Sequence, residues 1–392
     1  MIKSNRIESI DLLRGIVMIV MALDHVRDYF HADAFLYDPT DMSKTSVILF
    51  FTRWITHFCA PVFIFLAGTS AFLIGLRKSK QELSVFLLKR GLWLVFLELT
   101  IVNFAWFFNV QFSLITLFVI WALGIGMIVL AACIHLPFKI TLAIGALMVV
   151  GHNALDGFHV EGNGIEAILW SIVHQFQGFP LSESYFLFAG YPIVPWIGVM
   201  LLGYCFGVFY QSSYSQASRK KILLYLGSGL IVLFVLIRFI NGYGDPHPWS
   251  VQPNPVFTVL SFLNVTKYPP SLLYILVTLG PAILFLAISE NYFGNISQRI
   301  KILGRVPMFY YLLHLYLIHV LALIAAMLTG YEASDMVFNT WVTNSPNLIG
   351  YGFSLWVVYI VWIGVVVILY PLCKWYDAYK AKQRHKWWLS YI

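Results

Sequence analysis

Charged residues are scarce in this chain of 392 residues: only 11% are Asp, Glu, Lys or Arg, whereas 60% are hydrophobic. An ordinary soluble domain contains roughly 25% charged residues. A soluble globule could not bury so much apolar surface, so the composition excludes soluble, disordered, collagen-like and coiled-coil proteins. The composition indicates a protein that is surrounded by lipid over most of its length.

Cysteines and the common sequence motifs of enzymes are also rare or missing. The four cysteines, Cys59, Cys133, Cys205 and Cys373, lie in or beside apolar runs and form no CxxC pair. Neither a disulfide framework nor a zinc site is therefore indicated, and we expect no bound metal. No GxxxxGK[ST], GxSxG or HExxH motif occurs, and no GxGxxG motif follows a strand. P-loop, hydrolase, metalloprotease and dinucleotide-binding enzymes are thus not favoured.

Ten apolar segments are long enough to cross a lipid bilayer, since about 20 helical residues span its hydrocarbon layer. They lie at about residues 9–30, 46–76, 84–107, 112–133, 137–153, 190–210, 221–240, 269–290, 304–328 and 350–373. Lipid requires backbone hydrogen bonds within each segment, which favours helices. We predict an all-α polytopic transmembrane bundle of about ten spanning helices, with eleven as the alternative. Residues 1–392 form one predicted domain.

Lys and Arg residues are unevenly distributed between the two sides of this predicted bundle. If the N terminus is cytoplasmic, only Lys44 and Lys267 of the 25 Lys and Arg residues fall in outer connections. This asymmetry predicts that both termini are cytoplasmic. The net charge of +7 is then explained by topology and by attraction to anionic lipid, not by nucleic acid. The long outer connections lie at residues 31–45, 154–189, 241–268 and 329–349.

The first predicted helix ends in a run of ionisable residues near the outer boundary of the membrane. One stripe of this helix carries Asp24, Arg27, Asp28 and His31, and His25 lies beside the stripe. Each such group costs about 2.5–3.5 kcal/mol at mid-membrane, so its presence needs a reason. A His that is held by a carboxylate suits a general base. An ion-pair cluster that only anchors the helix end is the alternative.

Other polar residues are predicted to lie near this run. Arg53 and His57 are one helical turn apart at the same depth, where they either line a cavity or anchor their helix. Lys267 breaks the charge pattern and is a candidate contact for an anionic group of a substrate. His314 and His319 lie about 140° apart around their helix, so only one of them can line a narrow site. We assign His314 to the predicted substrate site.

Basic residues at the inner face are candidates for binding the phosphates of a nucleotide-like donor. These candidates are Arg14, Lys89, Arg90 and Arg305. Membrane orientation alone would explain any single one of them. Glu98, deep in the third segment, is predicted to be hydrogen-bonded between helices or to act as a proton site. The loop histidines His152, His159, His174 and His247 are expected to be solvated.

Five stretches of the sequence resemble the heparan-α-glucosaminide N-acetyltransferase-like family, in particular its bacterial members, within the broader transmembrane acyltransferase superfamily. They are RIESIDLLRGIVMIVMALDHVRDYFH (6–31), FTRWITHFCAPVFIFLAGTSAFL (51–73), YPIVPWIGVMLLGYCFG (191–207), NVTKYPPSLLYILVTLGPA (264–282) and LGRVPMFYYLLHLYLIH (303–319). The resemblance implies an integral membrane enzyme of the bacterial inner membrane. It implies transfer of an acetyl group from acetyl-CoA to an amino sugar or glycan on the outer side.

The resemblance also implies that a His near the outer end of the first helix is the central catalytic residue. The family pattern places an Asn and then a His here, and the sequence departs from it. The Asn position falls on or beside Asp24 and His25, and His31 is a gapped match to the His. His25 and His31 are therefore both candidate bases, with Asp24 or Asp28 as partner.

Acyl transfer requires a base for the proton of the acceptor and a donor that stabilises the oxyanion. Arg27, Arg53 or His57 would supply the second function. Direct transfer and an acetyl-His relay both remain open, and so does a homodimer. A proton-coupled secondary transporter that uses the same Asp and His cluster is the alternative function, although no internal repeat is visible. A non-catalytic scaffold would leave the cluster without a purpose.

Overall fold

The computed structural model describes residues 7–290, 294–383 and 385–390, which fold mainly into α-helices. The helices are α1 (Glu8–Phe30), α2 (Val47–Trp54), α3 (Cys59–Gly75), α4 (Lys80–Leu97), α5 (Asn103–Phe107), α6 (Val119–Cys133), α7 (Phe138–Gly151), α8 (Ile165–Val173), α9 (Ile193–Phe206), α10 (Gln216–Ile240), α11 (Pro255–Leu263), α12 (Leu272–Ser289), α13 (Asn295–Arg305), α14 (Pro307–Leu328) and α15 (Leu355–Lys382). Three basic residues that entered the topology prediction, Lys3, Arg6 and Arg384, lie outside the described residues.

Seven helical stretches of the described residues are long and apolar enough to cross a membrane. They are Val47–Gly75, Phe138–Leu155, Ile193–Tyr210, Gln216–Ile240, Leu272–Ser289, Pro307–Leu328 and Leu355–Lys382. The other three predicted segments also fold as helices, but each is less regular. The helix α1 carries charges, a π-helical turn at Glu98–Val102 separates α4 from α5, and α6 has only 15 residues. Ten spans and cytoplasmic termini therefore remain predictions, whereas the helical architecture is confirmed.

Glycines allow several helix pairs to approach to backbone distance. At the crossing of α1 and α13, a Cβ atom at Gly15 or Gly304 would overlap a carbonyl oxygen of the partner helix. Where α3 crosses α9, a Cβ atom at Gly68 or Gly203 would likewise overlap a carbonyl oxygen of the partner helix. Small residues are the usual means of close packing between membrane helices, because lipid supplies no hydrophobic drive for association. The first crossing fixes the position of α1, which carries the ionisable run.

A small sheet is the main departure from the predicted all-α fold, with one strand in the predicted segment 112–133 and two in the outer connection 154–189. Its strands are β1 (Leu114–Thr116), β2 (Gln177–Pro180) and β3 (Phe186–Ala189), in the order β1-β3-β2. β3 pairs parallel to β1 and antiparallel to β2. Strands of three or four residues show no measurable alternation of polar and apolar residues, so the sequence pattern could not predict them. Phe188 of β3 lines a cavity in the bundle.

Candidate active site

Two cavities meet beside the C-terminal half of α1. The upper cavity, about 840 Å³, lies towards the end of α1 at Phe30, and Arg27, Asp28 and Arg53 are among its lining residues. The lower cavity, about 380 Å³, extends towards the N-terminal end of α1, where it is lined by Arg14. The residues that line both cavities are Asp24, His25, Val119, Tyr191, Lys267 and Tyr311. We call this shared set the junction.

His25 of the junction is hydrogen-bonded to a second imidazole. Its Nδ1 atom lies 2.7 Å from Nε2 of His314, and Nδ1 of His314 lies 3.1 Å from the carbonyl oxygen of Tyr310. A carbonyl oxygen only accepts, so Nδ1 of a neutral His314 carries the proton and its Nε2 accepts from His25. The Nε2 atom of His25 then keeps a lone pair. This is the tautomer that a general base requires.

Aromatic side chains surround the His25 ring. The ring of Trp106 meets it edge-on at a centroid distance of 4.7 Å, and Tyr311 does so at 6.4 Å. Both aromatic residues also line the upper cavity. Neither was predicted, because aromatic residues are so common in this chain that position in the sequence gave no signal. Their contacts restrict the orientation of His25 to the one that its hydrogen bond with His314 selects.

Asp24 sits among three cations at the junction. Its carboxylate lies 2.9 Å from Arg27, 3.4 Å from Arg53 and 3.5 Å from Lys267. Arg27 also pairs with Asp28 at 2.6 Å. A buried charge is tolerated only when it is paired and hydrogen-bonded, and this network satisfies both carboxylates. Asp38, a third carboxylate that lines the upper cavity, also interacts with Arg53, so three carboxylates face three cations.

A hydrogen-bonded loop before α12 holds Lys267 in place. The carboxylate of Asp245 accepts hydrogen bonds from the backbone N–H of Thr266 at 2.8 Å, from its hydroxyl at 2.9 Å and from Ser271 at 2.7 Å. Ser271 also caps α12 by accepting from the N–H of Tyr274 at 3.0 Å. Lys267 lies between these anchors. Lys267, one of the two basic residues that fall in predicted outer connections, thus lies inside the bundle next to Asp24.

Of the other two histidines of the predicted site, His57 lines the upper cavity and His31 lines neither cavity. His57 is buried, lines the upper cavity and has an Nδ1 atom with no hydrogen-bond partner among the described residues. His31 follows the last residue of α1 and is not among the residues that line either cavity. Its Nε2 atom lies 4.0 Å from Asp33, and its neighbour Ala32 donates a backbone hydrogen bond to Phe353. The structure thus separates His31 from His25.

Basic residues surround the far end of the lower cavity. Arg14 donates hydrogen bonds to the hydroxyl of Ser70 at 3.0 Å and to the carbonyl of Gly304 at 3.2 Å. The lining also includes Arg90, Arg305 and Lys380. Lys380 was missed because its position in the basic C-terminal region was interpreted only as a topology signal. Lys89 is exposed and does not line this cavity.

Glu98 fixes the beginning of α6. Its Oε2 atom accepts hydrogen bonds from the backbone N–H groups of Ile120 at 3.1 Å and Trp121 at 3.2 Å. A carboxylate at a helix N terminus satisfies N–H groups that have no partner within the helix, and it also interacts favourably with the helix dipole. Val119, the first residue of α6, belongs to the junction. Glu98 therefore links α4 to the wall of the site.

Two of the loop histidines are not solvated, which corrects the prediction for them. His152 and His174 are only 2% and 3% exposed, whereas His159 is exposed as expected. The ends of α7 and α8 bring these two rings together at a centroid distance of 5.7 Å. This contact could not be predicted from the sequence, because 22 positions separate the two residues. The fourth, His247, lines the upper cavity.

The fold and the junction define a helical integral membrane protein with a histidine-centred polar site inside the bundle. The sequence model of the family described as heparan-alpha-glucosaminide N-acetyltransferase, catalytic, matches residues 6–235, which is more than half of the chain. The chain belongs to this family, and the predicted resemblance is confirmed. It is a membrane acetyltransferase, and the transporter alternative is not favoured. No curated protein matches the chain.

The matched region includes the helices that carry Asp24, His25 and Arg53 but ends before Lys267 and His314. Lys267 belongs to the junction, and His314 binds His25. The site therefore combines side chains from inside and outside the matched region. The loop before α12 supplies Lys267, and α14 supplies His314.

Proposed function

We propose that the protein transfers an acetyl group from acetyl-CoA in the lower cavity to the amine or hydroxyl group of an amino sugar or glycan in the upper cavity. In this proposal, His25 is the general base. The observation that carries the proposal is the position of His25: it lines both cavities, and its hydrogen bond with His314 leaves Nε2 unprotonated. A base at this junction is within reach of both reactants.

The shape and charge of the lower cavity support its role as the donor site. Its basic end, with Arg14, Arg90, Arg305 and Lys380, suits the phosphate groups of CoA, because guanidinium groups bind phosphate bidentately. Apolar side chains, including Met18 and Phe86, line the path from there to His25. Such a path suits the extended pantetheine arm, which would carry the acetyl thioester to the junction.

The upper cavity supports binding of a sugar. Its volume lies within the usual range of about 300–1,000 Å³ for ligand sites. The aromatic side chains of Tyr268 and Trp341 offer faces for a sugar ring, and Asp28 and Asn264 offer hydrogen-bonding groups. Following the asymmetry of Lys and Arg residues, this cavity opens on the extracytoplasmic side in the proposal, and the membrane is a bacterial inner membrane.

The proposed reaction is a direct transfer. Nε2 of His25 removes a proton from the acceptor as its nitrogen or oxygen attacks the thioester carbonyl. Lys267 or Arg53 stabilises the negative charge that develops on the carbonyl oxygen. The new C–N or C–O bond forms, the C–S bond breaks, and the protonated His25 returns its proton to the CoA thiolate. His314 stabilises the intermediate imidazolium by accepting a hydrogen bond from its Nδ1 atom.

The test measures thiol release by the purified protein in nanodiscs with acetyl-CoA and a panel of amino sugars. We expect free CoA to appear only with an acceptor, and His25→Ala to abolish its release. His135→Ala, which changes an exposed histidine outside both cavities, is the matched control. Retention of acetyltransferase activity by His25→Ala would contradict the assignment of the base. Isolation of acetylated protein in the absence of acceptor would replace direct transfer by the relay.

A further inference from the structure

We propose that His152, Asp156 and His174 form a binding site for a divalent transition metal ion, of which Zn²⁺ is the best match. One ligand atom from each residue lies within 4.8 Å of the other two. The three residues follow α7 and α8, in the long connection between α7 and α9. They line neither of the two cavities, so this site is separate from the proposed site of acetyl transfer.

The unpartnered nitrogens of the two histidines favour this interpretation. Both ring nitrogens of His152 and the Nδ1 atom of His174 are buried and have no hydrogen-bond partner among the described residues. Burying a polar atom without a partner is costly, and native structures rarely contain such atoms. A metal ion bound to one nitrogen of the His152 ring would use its lone pair, which otherwise has no partner among the described residues. An ordinary buried His–Asp pair would explain His174 but would leave His152 unsatisfied.

His174 and Asp156 are already spaced almost as two ligands of one metal ion would be. Nε2 of His174 lies 3.0 Å from Oδ1 of Asp156. Two ligands that are each about 2.0–2.1 Å from a zinc ion are roughly 3.0–3.5 Å apart. A ligand atom of His152 lies within 4.8 Å of those of the other two residues, so a side-chain adjustment of His152 completes the three-ligand set. Two imidazoles and one carboxylate favour zinc and neighbouring transition metals over Mg²⁺ or Ca²⁺, which prefer oxygen ligands.

A further contact orients the carboxylate in the way that metal sites usually require. Asn153 donates a hydrogen bond from its amide to Oδ2 of Asp156 at 2.7 Å. The amide oxygen of the same residue accepts from the backbone N–H of Leu272, at the start of α12, at 2.8 Å. Groups that orient metal ligands commonly contribute 10–100-fold to affinity. Asn153 thus connects the proposed metal site to the helix that follows Lys267.

These connections indicate a structural role for the metal. The ion would tie the end of α7 to the end of α8 and, through Asn153, to the start of α12. Phe176, two residues after His174, stacks on Tyr268 at a centroid distance of 5.3 Å, and both rings line the upper cavity. Metal binding therefore stabilises one wall of that cavity. The ion takes no part in acetyl transfer.

The first experiment measures zinc content and thermal stability of the full-length protein, purified in detergent without a polyhistidine tag and treated with a chelator. Added Zn²⁺ should bind at one ion per chain and raise the unfolding temperature, whereas Mg²⁺ should not. The variants His152→Gln, His174→Gln and Asp156→Asn should lose both effects. His159→Gln, which changes an exposed histidine of the same connection, should retain them. Asn153→Ala should weaken zinc binding roughly 10–100-fold.

A second measurement on the unmodified protein keeps the proposal testable if the variants fail to fold. X-ray absorption spectroscopy of the zinc-loaded protein should show nitrogen and oxygen ligands, with the scattering pattern of two imidazoles. Sulfur ligands would overturn the proposal, because they would place the ion at cysteines. Unchanged zinc content in His152→Gln and His174→Gln would also overturn it. So would a folded wild-type protein that binds no zinc.

Discussion

His25 on α1 and His314 on α14 share one hydrogen bond, with 2.7 Å between Nδ1 of the first and Nε2 of the second. The bond runs in one direction, because the carbonyl of Tyr310 fixes the proton on the other nitrogen of His314. His314 therefore acts through His25 and is a positioning residue. We therefore expect substitutions of His25 and His314 to affect the rate of acetyl transfer to different extents.

Substitution of His25 should reduce activity far more than substitution of His31. Loss of a general base commonly costs about 10²–10⁴-fold in rate, so kcat of His25→Gln should fall by this amount. His31→Gln should retain activity within a few-fold, since His31 lines neither cavity. Thiol release under saturating substrates gives kcat for both variants. The opposite order would make His31 the base.

Substitution of His314 should give an intermediate result with a distinctive pattern. His314→Ala removes the acceptor for His25, so kcat should fall by roughly 10-fold, while KM for acetyl-CoA stays nearly constant. His314→Gln offers an amide oxygen as a replacement acceptor and should recover part of the loss. A changed pH profile of kcat in His314→Ala, compared with His135→Ala, would show that the histidine acts through the base. An unchanged profile would reduce His314 to a packing residue.

Arg90 and Lys89 provide a matched pair for the donor site, since they are adjacent but only Arg90 lines the lower cavity. A hydrogen bond to a charged group contributes about 1.5–3 kcal/mol, so Arg90→Ala should raise KM for acetyl-CoA by roughly 10-fold or more. Lys89→Ala should not change it. The effect of Arg90→Ala should disappear with acetyl-pantetheine as donor, because that donor lacks the nucleotide phosphates. Equal effects of both substitutions would indicate a general role of positive charge.

The sequence was sufficient to predict the helices, because apolar runs of this length have few other folds available in lipid. It also identified Asp24, His25, Arg53 and Lys267 as unusual, since ionisable groups within or next to membrane segments are energetically costly and usually functional. It could not predict which of them meet. The contact between His25 and His314 joins residues 289 positions apart, and only helix packing brings them together.

The buried histidines of the loops were mispredicted for a related reason. His152 lies at the end of the predicted segment 137–153, and His174 lies in the outer connection 154–189, so both were expected to be solvated. Their burial accompanies a contact between the two rings, at a centroid distance of 5.7 Å, which only the folded chain brings about. The same applies to β1 of the sheet, which gains its partner through a distant pairing, Leu114 with Phe186. Long-range pairing is invisible to local periodicity.

Glu98 should contribute to stability more than to chemistry. Glu98→Ala leaves the N–H groups of Ile120 and Trp121 without their acceptor, at a cost of about 1–3 kcal/mol for an unsatisfied buried group. Glu98→Gln keeps an acceptor oxygen and should lose less. Thermal unfolding in detergent measures both variants. If Glu98 were instead a proton site of a transporter, Glu98→Gln would abolish function while leaving stability unchanged.

His31 should make the stability of the protein depend on pH. Burial lowers the pKa of His31 below its usual value, with the Asp33 carboxylate opposing and the Arg27 guanidinium reinforcing the shift. The unfolded chain, with a pKa of about 6.5, then binds more protons than the folded one as pH falls below that value. The stabilisation is therefore complete above about pH 6.5 and declines as pH falls towards the lowered pKa. Unfolding temperatures of the wild type and His31→Gln should differ less at about pH 5 than at about pH 8. A difference that grows on acidification would mean that His31 is protonated in the folded protein and paired with Asp33, contrary to the effect expected from its burial.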